Sequence, residues 1–155
     1  MKLKKGHKTM NCNNDECIEH IELLLRKICF EIKKKGREIL NNYDITPPQF
    51  DALQKIIWCK SLTIGELSSA LYLAPSTITD LVDRMEKTGL VERVKDQKDR
   101  RVVKVQPLEK GNSLIEEVLK QRREYIASLL KDLEKSEKKD FIKYLEIFSS
   151  SSHFD

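Results

Sequence analysis

Glycine is scarce in this chain, with 5 among 155 residues. A loop that cradles phosphate needs several glycines close together, so that backbone N–H groups can wrap the anion, and no such loop is present. Histidine is scarcer still at 3. His7 and His153 lie near the ends, and His20 has no obvious nucleophile, which leaves no Ser/His/Asp set for acyl transfer. The adjacent carboxylates Glu116 and Glu117 point apart on a helix and read as a solvated face, not as an acid–base pair. An enzyme is not expected. Also missing is any apolar run near the roughly 18–20 residues that span a bilayer. Residues 1–14 are lysine-rich but lack the apolar stretch of a signal peptide, so a cytoplasmic protein is expected.

In that compartment the 4 cysteines are expected as reduced thiols and not as a disulfide framework. His7, Cys12, Cys17 and His20 lie close together, and soft sulfur with imidazole suits zinc. Their spacing matches no known zinc finger, so no metal and no cofactor are expected. Cys59, near the end of the second long helix, has no evident partner.

What is present is a helical pattern with heavily charged outer faces. Charged residues make up 35% and apolar residues 39%, which suits one soluble domain of ordinary core size. The net charge of +4 is too modest to identify a nucleic-acid partner by itself, so the argument turns on where the charge lies. No internal repeat is visible, and the one low-complexity segment is Ser149 to Ser152.

After a basic tail, a long helix is expected from Asp15. Ile18, Ile21, Leu25, Ile28 and Ile32 alternate by three and four with Leu24 beside them, a heptad-like seam. Lys33-Lys34-Lys35-Gly36 interrupts the seam before Ile39 and Leu40 resume it. A seam of this length exceeds what a small monomer needs for its own core, so it reads as half of a dimer interface. Asn41 to Asp44 break the helix. Thr46-Pro47-Pro48 begins the next with a hydroxyl cap and first-turn prolines, and Phe50, Leu53, Ile57 and Trp58 form its inner face. Trp58 is expected in the core.

The stretch from Leu62 to Gln106 organises the rest. Thr63-Ile64-Gly65-Glu66 has the form of a capping box and opens a short helix with Ile64, Leu67 and Leu71 inward. A break follows at Tyr72-Leu73-Ala74, and Pro75 starts a second helix. Ile78, Leu81, Val82 and Met85 form its apolar stripe. Ser76, Asp80, Asp83 and Lys87 occupy the opposite face, with Thr79 and Arg84 on its flanks, and Gly89 stands at the C-cap. Leu90 to Val94 and Val102 to Gln106 then form a β-hairpin around the tip Lys95-Asp96-Gln97-Lys98-Asp99-Arg100-Arg101. Four cations against two acids give that tip a charge of 4 − 2 = +2. Two short helices, a polar outward face and a basic hairpin form a reader of double-stranded DNA. The second helix would lie in the major groove and the hairpin would reach an adjacent minor groove.

Ser76-Thr77-Ile78-Thr79, then Leu81 through Arg93, then Asp96, Asp99, Arg101 and Val105 in that spacing, followed by Glu109-Lys110-Gly111, resemble the MarR family of bacterial transcription regulators. The resemblance is densest from about Ile45 to Gly111. It implies a homodimeric winged-helix protein on a near-palindromic operator, usually a repressor that leaves when a small molecule or oxidant arrives. Ser76, Thr77 and Thr79 would approach bases or phosphates, Arg101 would enter the minor groove, and Asp99 would help to hold the wing. Asp80, Arg84, Lys98 and Arg100 complete the expected DNA-facing set. Two positions depart from the family pattern. Pro107-Leu108 stands where Leu-Thr is usual, which leaves the start of the next helix unspecified. Asp80 replaces a basic or small residue, and it either accepts from a cytosine amine or pairs with Arg84 one turn on. Some oxidant-sensing relatives carry a reactive cysteine in the first helix. Cys29 lies about seven residues closer to Thr46-Pro47 than that cysteine does, and it reads as a buried structural thiol.

Beyond the hairpin, a helix is expected from Leu108 to about Leu133, with Leu114, Val118, Tyr125, Ile126, Leu129, Leu130 and Leu133. Ser136 precedes a last helix with Phe141, Leu145 and Phe148 on its apolar face. The expected fold is mainly α with a small β-hairpin wing, a winged helix-turn-helix flanked by N- and C-terminal dimerisation helices. Its parts are a tail over 1–14, a dimerisation helix over 15–44, the DNA-binding domain over 45–107, C-terminal dimerisation helices over 108–149 and a tail over 150–155. The alternatives are a thiol- or metal-responsive regulator of the same fold and a winged helix that binds protein without specific DNA binding. The effector site is not legible.

Overall fold

The computed structural model describes residues 13–151, which form helices α1 (Asn14–Leu40), α2 (Pro47–Cys59), α3 (Ile64–Leu71), α4 (Pro75–Lys87), α5 (Glu109–Leu129) and α6 (Lys135–Ser151). Three strands accompany them: β1 (Leu62–Thr63), β2 (Val91–Lys95) and β3 (Val103–Pro107). The chain divides between Glu38 and Ile39 into two units.

In the first unit α1 runs unbroken to Leu40, as expected, and passes through Lys33–Gly36, where the sequence interrupts only the apolar seam. The apolar seam lapses there but the backbone does not, because one glycine inside a helix costs only about 1 kcal/mol. The seam residues Ile18, Ile21, Ile28 and Ile32 are exposed in the single chain, as is Cys29. The expectation of a buried thiol at Cys29 is therefore corrected. Its position beside the seam placed it inward only if the seam itself were covered.

The second unit holds the core. Phe50, Leu53 and Ile56 of α2 meet Leu67 of α3 and the α4 stripe Ile78, Val82 and Met85, all 0–1% exposed. Each such side chain taken from water contributes about 1.5–3 kcal/mol. Ile56 takes the place expected for Trp58, which is 87% exposed at the end of α2. Trp58 follows Leu53 by five residues, about 140° around a helix of 3.6 residues per turn, so it falls off the buried stripe.

Local chemistry sets the element ends. The Gln49 carboxamide reaches back to accept from the Thr46 N–H at 2.9 Å, and Pro47 and Pro48 occupy the first turn of α2. At α3 the Thr63 hydroxyl accepts from the Glu66 N–H at 3.2 Å, while the Glu66 carboxylate accepts from the Thr63 N–H at 2.7 Å. Both partners of the expected capping box are in place. Gly89 takes φ +72°, and the N–H groups of Gly89 and Leu90 donate to the carbonyls of Glu86 and Met85. This double closure is a Schellman motif, which needs a left-handed residue and so favours glycine.

The hairpin lies one residue later than expected, with Lys95 opposite Val103 at its outer end. A third strand joins it, since β1 pairs with β3 through Leu62↔Val105 and gives the order β1-β3-β2. α5 begins at Glu109 with Leu108 as an N-cap that makes no side-chain bond. It buries Gly111, Ile115 and Val118 and ends at Leu129, earlier than expected. α6 begins one residue before Ser136, and the Glu137 carboxylate accepts from the Glu134 N–H at 2.8 Å. α6 buries none of its residues, and Phe141, Leu145 and Phe148 are exposed. No helix among the described residues is long and apolar enough to cross a membrane.

Gly111 packs where a Cβ would stand 2.3 Å from the Leu90 carbonyl oxygen. Backbone cannot yield as a flexible side chain would, so Gly111→Ala should cost about 1–3 kcal/mol of overpacking strain. Thermal unfolding checks this: a clear drop in Tm is expected, and an unchanged Tm would show that α5 shifts freely.

Candidate nucleic-acid interface

The geometry of α4 follows from its sequence. Its four buried residues lie on one stripe, so Ser76, Thr77, Thr79, Asp80, Arg84 and Lys87 are all exposed. Pro75 occupies the first turn, and Ala74 caps in extended geometry with no side-chain bond. The first-turn N–H groups of Ser76 and Thr77 lie at the positive end of the helix. The Thr79 hydroxyl donates to the Pro75 carbonyl at 2.9 Å. Among the described residues no ion pair joins Asp80 to Arg84, one of the two roles that the sequence left open for Asp80.

Asp83 is used differently from its neighbours on that face. Arg93 of β2 donates from Nη2 to Asp83 Oδ1 at 2.6 Å and from Nη1 to Glu86, and its N–H donates to Glu86 Oε1 at 3.0 Å. This half-buried fork ties the outer side of α4 to the root of the hairpin. Charge-assisted bonds of this kind are about twice as strong as neutral ones. Sequence reading missed it, because Asp83 and Arg93 lie ten residues apart in different elements and no local pattern links them. At the opposite end of the same joint, Lys110 Nζ donates to the Thr88 carbonyl at 2.7 Å and satisfies an orphan acceptor of α4.

The hairpin tip carries its own order. The Asp96 N–H donates to the Val102 carbonyl at 2.9 Å, and the Asp96 carboxylate accepts from the N–H groups of Lys98 at 2.9 Å and Asp99 at 3.1 Å. Lys104 Nζ lies 2.6 Å from the second Asp96 oxygen. The Asp99 carboxylate receives the Arg101 N–H at 3.0 Å, Nε at 3.1 Å and Nη2 at 3.2 Å. Arg101 nevertheless keeps its side chain 91% exposed, so the pair directs the guanidinium without enclosing it. Lys98 and Arg100 are exposed beside it. The arrangement brings the expected wing residues together and gives a role to Asp96, which sequence reading had only as tip charge and part of the wing pattern, and to Lys104, which it had only as strand.

The remaining candidates belong to the N-terminal part of the chain. His7 and Cys12 lie outside the described residues. Cys17 is half-buried and His20 is exposed, both on α1. Among the described residues no group of three or more His, Cys, Asp or Glu could hold a metal ion. A cavity of about 490 Å³ is lined by Leu119, Ile126 and Leu130 together with Arg122, Arg123 and Lys138.

The Lys104 ammonium, helped by the Lys98 and Asp99 N–H groups, holds the Asp96 carboxyl at about 2, below its ordinary 3.8. A carboxylate with a depressed pKa contributes fully above its free-chain value and loses that contribution as pH falls through its folded value. The order it gives the tip should therefore be complete above pH 3.8 and gone below about pH 2. At neutral pH, Asp96→Asn should speed amide hydrogen exchange at Lys98 and Asp99 while leaving α4 amides protected. Unchanged exchange there would show that the tip is ordered by other contacts.

Comparison with known proteins adds to this geometry. The MarR family model matches residues 45–103. The uncharacterized HTH-type transcriptional regulator YsmB of Bacillus subtilis is 54% identical over 114 residues, covering 74% of this chain and 78% of that one. The HTH-type transcriptional repressor MdtR of the same organism is 29% identical over 123 residues, 79% of each chain. A solved MarR family protein from Bacillus stearothermophilus superposes with a TM-score of 0.83 at 46% identity, covering 90% of this chain and 98% of that one.

Proposed function

The chain belongs to the MarR family of transcriptional regulators, and from that premise we propose that it works as a cytoplasmic homodimeric repressor on a near-palindromic DNA operator. One observation carries the reading. The outer face of α4 is solvent-exposed beside a wing whose guanidinium is directed by Asp99 and left 91% exposed. α4 enters a major groove, where Ser76, Thr77, Thr79, Asp80 and Arg84 meet base edges or phosphates. Lys98, Arg100 and Arg101 approach the neighbouring minor groove, whose negative potential attracts guanidinium.

Dimerisation is supported by apolar faces that the single chain leaves open. The α1 seam is one, with Ile18 58% and Ile28 49% exposed, and the Phe141–Leu145–Phe148 face of α6 is another. Contiguous apolar surface of this kind marks an interaction site. A two-fold dimer sets its two recognition helices about one DNA turn apart, roughly 34 Å. Release by a small molecule is supported by the cavity beside Arg122, whose size suits a drug-like ligand. The Arg122 guanidinium itself lies over the Phe50 ring, 4.7 Å from its centroid, and among the described residues its buried Nε has no hydrogen-bond partner.

Two variants test the halves of this reading. Arg101→Ala should weaken operator binding more than tenfold, since a minor-groove guanidinium supplies both charge and fit. Fluorescence anisotropy on a cognate duplex measures this, and an unchanged Kd would remove the wing from the mechanism. Replacing Ile21 and Ile28 together by Glu should convert a dimer to monomers in sedimentation velocity. A dimer that survives both charges would place the interface elsewhere.

A further inference from the structure

We propose that Asp80 is the base-reading residue of the recognition helix and takes a hydrogen bond from a cytosine N4 amine, with Thr79 beside it as a second acceptor. This rests on the DNA-binding reading above and deepens it by naming the base chemistry.

The structure sorts the polar groups of the α4 face by what they can still offer. Asp83 is held by the Arg93 guanidinium at 2.6 Å, so its charge is neutralised within the protein. Asp80, three residues earlier, has no such cation among the described residues: Arg93 goes to Asp83 and Glu86, and no ion pair reaches Asp80 from Arg84. It is an exposed carboxylate in the second turn of α4, opposite the buried stripe. The Thr79 proton is committed to the Pro75 carbonyl, so its oxygen faces outward as an acceptor. The first two turns thus present acceptors at Thr79 and Asp80, while the cations Arg84 and Lys87 lie toward the C-terminal end.

A bare carboxylate between phosphate backbones is unfavourable unless it meets a donor. In the major groove the donors are the cytosine N4 and adenine N6 amines, whereas guanine and thymine edges offer acceptors. Adenine places its N7 acceptor next to the amine, where it repels a carboxylate oxygen. Cytosine places a C–H there. The N-terminal part of a recognition helix is the part that meets base edges, and that is where Asp80 stands.

The test is selection from random duplex DNA by the full-length protein and by its Asp80→Ala and Asp80→Asn variants. The wild type should enrich an inverted repeat with cytosine at one symmetric position of each half-site, preferred there by about tenfold or more. Asp80→Ala should reduce preference at that position alone to under twofold and raise affinity for unrelated duplex. Asp80→Asn should replace the cytosine with adenine, the base that a carboxamide matches. Identical preferences in all three proteins would overturn the assignment while leaving the DNA-binding reading intact. Uniformly tighter binding by both variants with the same preferences would do so too, and would reduce Asp80 to a source of repulsion. No enrichment even by the wild type would overturn the DNA-binding reading itself, and this assignment with it.

Discussion

One backbone carbonyl, that of Leu90, joins the parts of the molecule that must keep a fixed relation. It accepts the Leu108 N–H at 3.0 Å, which ties the root of the wing to the approach to α5. Gly111 packs against the same oxygen, so α5 seats only because no side chain intervenes. One residue earlier, the left-handed Gly89 turns the chain out of α4 into β2. The end of the recognition helix, the start of the wing and the first turn of α5 therefore converge within a few residues. Two glycines make the convergence possible, one by its φ and one by its missing Cβ.

On that joint the acidic residues act as organisers of cations. Asp83 and Glu86 hold Arg93 and lock α4 to β2, Asp96 gathers Lys104 and two N–H groups, and Asp99 directs Arg101. On the proposed reading, a chain of only +4 net charge attracts DNA through the local cluster of cations at the wing tip and not through its net charge. Exposed ion pairs contribute little to stability. Their value on the proposed reading is positional: a tip whose backbone is fixed by Asp96 and Asp99 would lose less entropy when Arg101 binds DNA. Among the described residues Asp80 organises no cation of its own, which is why its partner is sought in the DNA.

Much of this was legible in the sequence because its signals are local. The Thr63–Glu66 box, the 78–81–82–85 stripe and Gly89 each span less than two turns of helix, and α3, α4 and the α4 terminus follow from them. The hairpin was misplaced by one residue, as β-branched residues on both sides of its ends allow. β1 was not legible, since two residues cannot display an alternation. Arg93 was invisible as a clamp because its partners lie seven and ten residues away, across a change of element. Trp58 and Cys29 failed for the same reason. Apolarity or proximity to an apolar stripe was taken for burial, although Trp58 is off the stripe and the α1 stripe is uncovered in the single chain.

The central claim is that α4 and the wing act as one rigid reader, repeated by two-fold symmetry. A hydroxyl-radical footprint on a selected duplex, taken at two salt concentrations and compared with a scrambled duplex, addresses it most directly. The account predicts two symmetric protected regions about one helical turn apart, roughly 34 Å. Each should include a protected minor-groove segment where the wing lies, and protection should persist at moderate salt on the selected duplex only. Diffuse protection on both duplexes that disappears at moderate salt would contradict it. That outcome would mean the basic tip is only attracted to backbone charge.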